Sequence, residues 1–227
     1  MSKIIEKIYI FVVLTILSVF SLIDTVHLTA EAHGENPELK DTELKSSAPA
    51  GVSRGGTVMS KEEELTIFDF SKKNDLDQWR PINDTVMGGI SESQLQQTKE
   101  GNALFAGNVS LENYGGFASL QSQPSHYNFT GYEGIAIRLK GDGKRYKLSL
   151  KNNTFLDAAR YEAAFNTEKE VWTTIQIPFN TLVPTFRGIV LTNETPLAIS
   201  RVKSFGLLIS DKQKGPFRIE IAWIKAY

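Results

Sequence analysis

The sequence predicts an all-β domain, an antiparallel jelly roll of two packed sheets. Several short segments alternate apolar and polar residues with a period of two, turn-forming residues separate these segments, and no stretch shows sustained helical periodicity. Without helices between the strands, parallel crossovers are not available, and the strands are expected to pair antiparallel.

The strands can be placed in chain order. Residues 135–140, 146–151, 173–177 and 218–223 each alternate apolar and polar side chains, which is typical of half-buried strands. Residues 204–210 are mostly apolar and predict a strand buried on both faces.

Turns and short helices complete the predicted domain. Residues 141–144 contain two glycines and an aspartate and predict a hairpin turn between the first two strands. Short helical turns are expected near residues 74–78 and 178–182, and Trp223 is expected in the core because it lies in an alternating strand.

The chain divides into three parts. Residues 1–32 are interpreted as a signal peptide or membrane anchor, residues 33–64 as a flexible linker, and residues 65–227 as the jelly-roll domain. The linker is poor in large apolar residues and rich in Glu, Lys, Ser, Ala and Gly, so it cannot bury enough apolar surface to offset the entropy of ordering.

Residues 8–23 form an uncharged, mostly apolar run and predict contact with a membrane. Their length lies between a signal-peptide core and a full span of ~20 residues, so cleavage and anchoring both stay open. Lysines before the run and acids after it predict an exported or anchored domain outside the cytoplasm. Mitochondrial targeting is disfavoured, since transit peptides are rich in arginine and the first arginine here is Arg54.

Composition excludes several classes of function. Lys and Arg total 25 against 26 Asp and Glu, so no net field attracts nucleic acid, and nucleic acid is not expected as a partner. The chain has no cysteine, which excludes disulfides, zinc–thiolate sites and thiol catalysis. No nucleophile–base pair or metal-ligand cluster stands out, and we predict neither an enzyme nor a metal site.

Two glycine doublets are the most informative local feature of the domain. They lie in residues 83–91 and 111–119, and each has Asn or Asp upstream that can hydrogen-bond nearby main-chain groups. Such turns build a defined surface, so we expect ligand or partner binding there. The candidates in the two turns are Asn83, Asp84, Gly88, Gly89, Asn113, Tyr114, Gly115 and Gly116.

Each candidate side chain has a structural alternative. Asp84 could present its carboxylate to a ligand or to calcium, but capping of its own turn is the favoured interpretation. Asn113 and Tyr114 could offer an amide and a stacking ring to a sugar, or could serve turn geometry alone. Trp79 is a candidate aromatic platform, and Arg187 is a candidate contact in a ligand groove.

The domain resembles the complex I intermediate-associated protein family. The resemblance covers residues 68–227 and is carried, in order, by Trp79 and residues 83–91, 105–107, 111–119, 177–179, 184–188 and 211–217. It implies a galactose-binding-like jelly roll without catalytic residues and a role in assembly of NADH:ubiquinone oxidoreductase. No nucleotide cofactor is expected, because neither doublet makes the three-glycine phosphate-binding pattern.

The predicted function is therefore a non-catalytic binding or assembly module. Its expected partner is a protein, with membrane subunits of a respiratory complex as candidates. The alternative is a carbohydrate-binding module of an exported protein, whose partner would be a glycan. A structural calcium ion stays open at this point.

Overall fold

The computed structural model describes residues 64–155 and 158–227, apart from the side chains of residues 86 and 87. They form two antiparallel sheets packed face to face, which confirms the predicted all-β class and the two-sheet arrangement. The predicted N-terminal helix in residues 1–32, the membrane contact of residues 8–23 and the linker up to residue 63 lie outside the described residues. Within the described residues, no helix has the length and apolar character needed to cross a membrane.

The first sheet has six strands and is organised around the long C-terminal strand. Its order is β3-β4-β13-β6-β9, and β1 pairs with the C-terminal half of β13, beyond the part that β4 covers. The strands of this sheet are β1 (Leu65–Asp69), β3 (Glu92–Gln97), β4 (Ala103–Val109), β6 (Gly134–Lys140), β9 (Trp172–Pro178) and β13 (Gly215–Ala226).

The second sheet has seven strands in the order β11-β10-β8-β7-β12-β5-β2. Its strands are β2 (Trp79–Asn83), β5 (Ala118–Ser122), β7 (Arg145–Lys151), β8 (Arg160–Asn166), β10 (Val183–Phe186), β11 (Ile189–Val190) and β12 (Ser204–Ile209). The helical segments are short: α1 (Lys73–Leu76) and the 3-10 turns Asp84–Met87, Glu112–Tyr114, Phe179–Thr181 and Ile199–Arg201.

The core lies between the two sheets and is rich in aromatic rings. The ring of Phe68 on β1 contacts those of Trp79 and Phe205 on the opposite sheet, with centroids 5.1 Å and 5.6 Å apart. Both contacts are edge-to-face, the arrangement that the ring quadrupoles favour. The alternating strands of the sequence supply this core, because alternate residues of a strand face the same side.

Two local predictions are wrong. Residues 141–144 do not close a hairpin, since β6 and β7 belong to different sheets. Asp142 explains the crossover: its carboxylate accepts hydrogen bonds from the hydroxyl of Tyr146 at 3.1 Å and from the backbone N–H of Arg218 at 2.9 Å. Trp223 lies half-buried on the outer face of the six-stranded sheet, with the Nζ atom of Lys225 4.6 Å from its ring centroid.

Candidate functional site

The two glycine-doublet turns lie against each other at one edge of the sandwich. One turn carries the chain from β2 in the seven-stranded sheet to β3 in the six-stranded sheet, and the other returns it from β4 to β5. Because β2 pairs with β5 and β3 pairs with β4, the two crossovers run side by side. We call residues 83–91 and 110–117 the corner.

Asp84 joins the two turns. One carboxylate oxygen accepts a hydrogen bond from the backbone N–H of Ser91 at 2.9 Å. The other accepts the hydroxyl of Ser91 at 2.5 Å and the backbone N–H groups of Gly116 at 2.7 Å and Phe117 at 3.2 Å. The side chain therefore bonds Ser91 in its own turn and also holds the second turn in place.

The hydrogen bonds around Asp84 favour its charged form and engage both of its oxygens. Burial by itself raises the pKa of this carboxyl, but the hydrogen bonds from Ser91, Gly116 and Phe117 outweigh burial and bring the pKa below its ordinary value. Both oxygens already accept N–H or O–H donors. Calcium needs several converging oxygen ligands, and Asp211 instead pairs with Lys147 at 2.7 Å.

Each doublet contains one glycine that is required by space and one that is required by backbone conformation. A Cβ atom on Gly89 would lie 2.4 Å from the carboxylate carbon of Asp84, and one on Gly115 would lie 2.7 Å from its oxygen. Gly88 and Gly116 have φ values of 90° and 138°, which side chains disfavour. The doublets therefore exist because the corner closes tightly over one buried carboxylate.

The outside of the corner carries strained and exposed residues. Asn113 and Tyr114 have φ values of 53° and 61°, a left-handed conformation that is rare for residues other than glycine, and Tyr114 is 100% exposed. Leu111 and Ile90 are 38% and 47% exposed. Their neighbours Ser110 and Ser91 are hydrogen-bonded, the backbone N–H of Ser110 donating to the Ser91 hydroxyl at 2.9 Å.

The remaining predicted residues lie elsewhere or have structural contacts. The side-chain oxygen of Asn83 accepts a hydrogen bond from the hydroxyl of Ser93, which ties β2 to β3. Trp79 is only 7% exposed and packs in the core, so its ring offers no platform at the surface. Its indole N–H has no acceptor among the described residues.

Arg187 belongs to the opposite edge of the seven-stranded sheet. It lies with Gly188 in the tight turn between β10 and β11, and its guanidinium lies 5.1 Å from the centroid of the Phe186 ring. Five strand spacings separate β10 from β2, which at ~4.8 Å per strand is about 24 Å. Arg187 is therefore not part of the corner.

Sequence reasoning missed two serines that follow the glycine doublets and hydrogen-bond at or beside the corner. Ser91 bonds Asp84 and Ser110, and Ser119 donates its hydroxyl to the backbone carbonyl of Ile82 at 2.8 Å. A serine within three residues of each glycine doublet was the available signal. In residues 64–155 and 158–227, no group of three or more His, Asp and Glu side chains is placed to hold a metal ion.

Proteins of known structure share the fold. A Family 11 carbohydrate-binding module from Clostridium thermocellum, solved with a beta-1,3-1,4-mixed-linked tetrasaccharide, matches with a TM-score of 0.56 and 14% identity, covering 72% of this chain and 94% of the module. At such low identity the likeness shows the fold alone.

Curated relatives are more similar in sequence. The chain is 25% identical to "Complex I intermediate-associated protein 30, mitochondrial" of Mus musculus, over 73% of this chain and 57% of that protein. It is 24% identical to the protein of the same name from Drosophila melanogaster, over 74% of this chain and 64% of that protein. The match thus spans less than two thirds of the length of these relatives.

These names contradict the predicted location. The sequence predicted an exported or membrane-anchored domain outside the cytoplasm and disfavoured mitochondrial targeting, whereas the mouse and fly relatives are named as mitochondrial proteins. The prediction is wrong. An apolar run with flanking charges reports the tendency to enter a membrane, and it does not distinguish one membrane from another.

The resemblance stated from the motifs is confirmed by a family model. The model described as complex I intermediate-associated protein 30 (CIA30) matches residues 68–221, which include both turns of the corner and all but the first and last few residues of the sandwich. The chain belongs to the CIA30 family.

Proposed function

We propose that this chain is a non-catalytic assembly module that binds a protein subunit of complex I intermediates through the corner. The observation that carries the proposal is the fully exposed ring of Tyr114, held in a left-handed backbone conformation on a corner that Asp84 locks from inside. The relatives' names supply the partner class, complex I intermediates.

The backbone conformation supports a functional role for Tyr114. A left-handed conformation costs a residue with a side chain roughly 1–2 kcal/mol, and Asn113 and Tyr114 adopt it in succession. Glycine would remove that cost at position 114. Strain of this kind persists where the surrounding structure enforces it, and it concentrates at binding sites.

The chemistry of the exposed surface fits a protein partner. Tyr114, Leu111 and Ile90 give the corner an exposed aromatic ring and two exposed aliphatic side chains. Buried tyrosine rings rank among the strongest contributors to protein interfaces, and a preformed surface loses little entropy on binding. Membrane subunits of complex I are the partners we infer, at the respiratory membrane where the complex is built.

The carbohydrate-binding alternative has less support. It draws on a fold shared with carbohydrate-binding modules, and fold alone does not fix a ligand. Trp79, the proposed platform for a sugar ring, lies in the core. Titration of the full chain with diverse oligosaccharides tests this alternative, and saturable binding that Tyr114→Ala leaves intact would favour it over the corner proposal.

The proposal is tested by replacing exposed rings at two positions. Tyr114→Ala removes the ring from the corner, and Phe155→Ala removes a ring that is 73% exposed in the connection after β7. Tagged full-length protein is purified from its own membranes in mild detergent, and complex I subunits are quantified by mass spectrometry. We expect the Tyr114 variant to recover at least tenfold fewer subunits than the wild type and the Phe155 variant to match the wild type.

Cells that lack the protein supply a second measurement. Complex I intermediates should accumulate on native gels, and Phe155→Ala but not Tyr114→Ala should restore the mature complex. Equal recovery of complex I subunits by both variants, or normal complex I in cells without the protein, would overturn the proposal.

A further inference from the structure

The outer face of the seven-stranded sheet carries a second cluster of polar side chains, which differs chemically from the corner. Directly opposed residues of antiparallel strands share a face, with Cβ atoms ~4.5–5.5 Å apart. Ser204 on β12 opposes Lys151 on β7, and Arg160 on β8 opposes Thr185 on β10. Leu150 and Tyr161 are the last paired residues of β7 and β8. The residues that follow in this register, Lys151 and Arg160, therefore lie across from each other.

Lys151 is an unusual residue on this face. It is only 4% exposed, although lysines are almost never fully buried without a partner. Its Nζ atom donates a hydrogen bond to the backbone carbonyl of Phe155, which uses one of three N–H donors. Among the described residues it has no carboxylate partner.

A shallow depression lies beside this lysine. Its floor is Gly206, which opposes Ser149 on β7 and Gln121 on β5. A Cβ atom on Gly206 would lie 2.4 Å from the hydroxyl oxygen of Ser149, so a larger residue there would displace that hydroxyl. Ser204 and Ser149, which also line the depression, are 3% and 5% exposed.

The charges around the depression favour a negative ligand. Burial lowers the pKa of Lys151, and the nearby positive charge of Arg160 lowers it further, so both disfavour the charged form of the lysine. An anion beside both cations would reverse this effect. Glu162 opposes Ser149; burial raises the pKa of its carboxyl, and the positive charges of Lys147 and Arg160 oppose that shift.

We propose that the outer face of the seven-stranded sheet holds a binding site for a small oxyanion group, a phosphate or a carboxylate, between Lys151 and Arg160 with the hydroxyls of Ser149 and Ser204 as further donors. Lysine and arginine bind such groups through charge-assisted hydrogen bonds. The site lies outside the corner and does not depend on the proposed assembly role.

A structural role for Lys151 would give different results from a binding role. Its one hydrogen bond goes to the backbone carbonyl of Phe155, a residue that is 73% exposed. Removing a buried and unpaired charge is then expected to leave stability unchanged or to raise it. Lys151→Met keeps most of the apolar length of the side chain and removes the charge.

The test measures binding of inorganic phosphate and of acetate to the full chain by calorimetry and by the shift of the melting temperature. We expect saturable millimolar or tighter binding of at least one probe, and at least tenfold weaker binding for Lys151→Met and Arg160→Gln. Arg160→Lys should retain most of the binding, because it keeps the charge. Lys169→Met, which removes an exposed lysine elsewhere, is the matched control and should bind like the wild type.

The two probes separate the sources of the oxyanion. Preference for phosphate indicates a phosphorylated ligand, and preference for acetate indicates a carboxylate ligand; both outcomes support the site. The proposal is overturned if neither probe binds at 50 mM, on the order of tenfold above the weakest expected affinity, or if Lys151→Met and Lys169→Met bind equally. It is also overturned if Lys151→Met melts at a clearly lower temperature than the wild type, since the lysine would then be structural.

Discussion

Replacing Asp84 by alanine should be among the most destabilising single changes at the surface edge of this sandwich. The carboxylate accepts four hydrogen bonds, and bonds to a charged group contribute ~1.5–3 kcal/mol each. The N–H of Ser91 is fully buried and would be left without an acceptor, whereas water can reach the N–H groups of Gly116 and Phe117 in part. Allowing for that recovery, we expect a loss of about 3–5 kcal/mol.

Thermal and urea denaturation of the full chain measure this loss. For a domain of this size each kcal/mol lowers the melting temperature by ~2–4 °C, so Asp84→Ala should melt roughly 6–20 °C below the wild type. Asp84→Asn keeps the shape but turns an amide toward N–H donors, and it should cost about 2 kcal/mol.

Asp77→Ala is the matched control, because Asp77 is an exposed aspartate just after α1. It should change stability by less than ~0.5 kcal/mol. If Asp84→Ala and Asp77→Ala denature alike, Asp84 does not lock the two turns together, and the account of the corner is wrong.

Three further predictions concern the same corner. Gly89→Ala should destabilise the protein several times more than Gly88→Ala in urea denaturation, because the new methyl group would collide with Asp84. A methyl group on Gly88 would meet open space, so Gly88→Ala costs only the strain of placing alanine at a φ of 90°, ~1 kcal/mol. Equal losses of stability would refute the steric argument. Acid should destabilise the protein through Asp84: its folded pKa is below the ordinary 3.8, so its contribution is complete above pH 3.8 and is lost as the pH falls through the folded value. Melting temperatures from pH 6 to pH 2.5 should fall less steeply for Asp84→Asn than for the wild type, and parallel curves would contradict this. Tyr114→Gly should raise the free energy of unfolding by about 1 kcal/mol through relief of left-handed strain, and a loss of stability would show that the ring packs on the domain.

The sandwich was predictable from sequence because its strands carry a local signal. Period-two alternation fixes which side chains face the core, and it identified β6, β7, β9 and β13 to within a few residues. The pairing of strands was not predictable in the same way. Residues 141–144 have hairpin composition, yet Asp142 bonds the backbone of β13, a contact 76 residues away that no local pattern contains.

The corner was predictable in place but not in mechanism. The glycine doublets marked both turns, and the aspartate upstream suggested a cap. The contact between Asp84 and residues 116 and 117 spans more than 30 positions, so sequence could not show that one carboxylate serves both turns. Trp79 was predicted as a candidate binding residue at the surface because its contact with Phe68 in the core is likewise not visible in the sequence.

Photo-crosslinking tests the central claim most directly. A photoreactive phenylalanine analogue is placed at Tyr114 in one version of the full chain and at Phe155 in another, and cells are irradiated while complex I is being assembled. The account predicts crosslinks to a complex I subunit from position 114 and not from position 155. Crosslinks to complex I from position 155 alone, or none from position 114 in cells that accumulate intermediates, would contradict it.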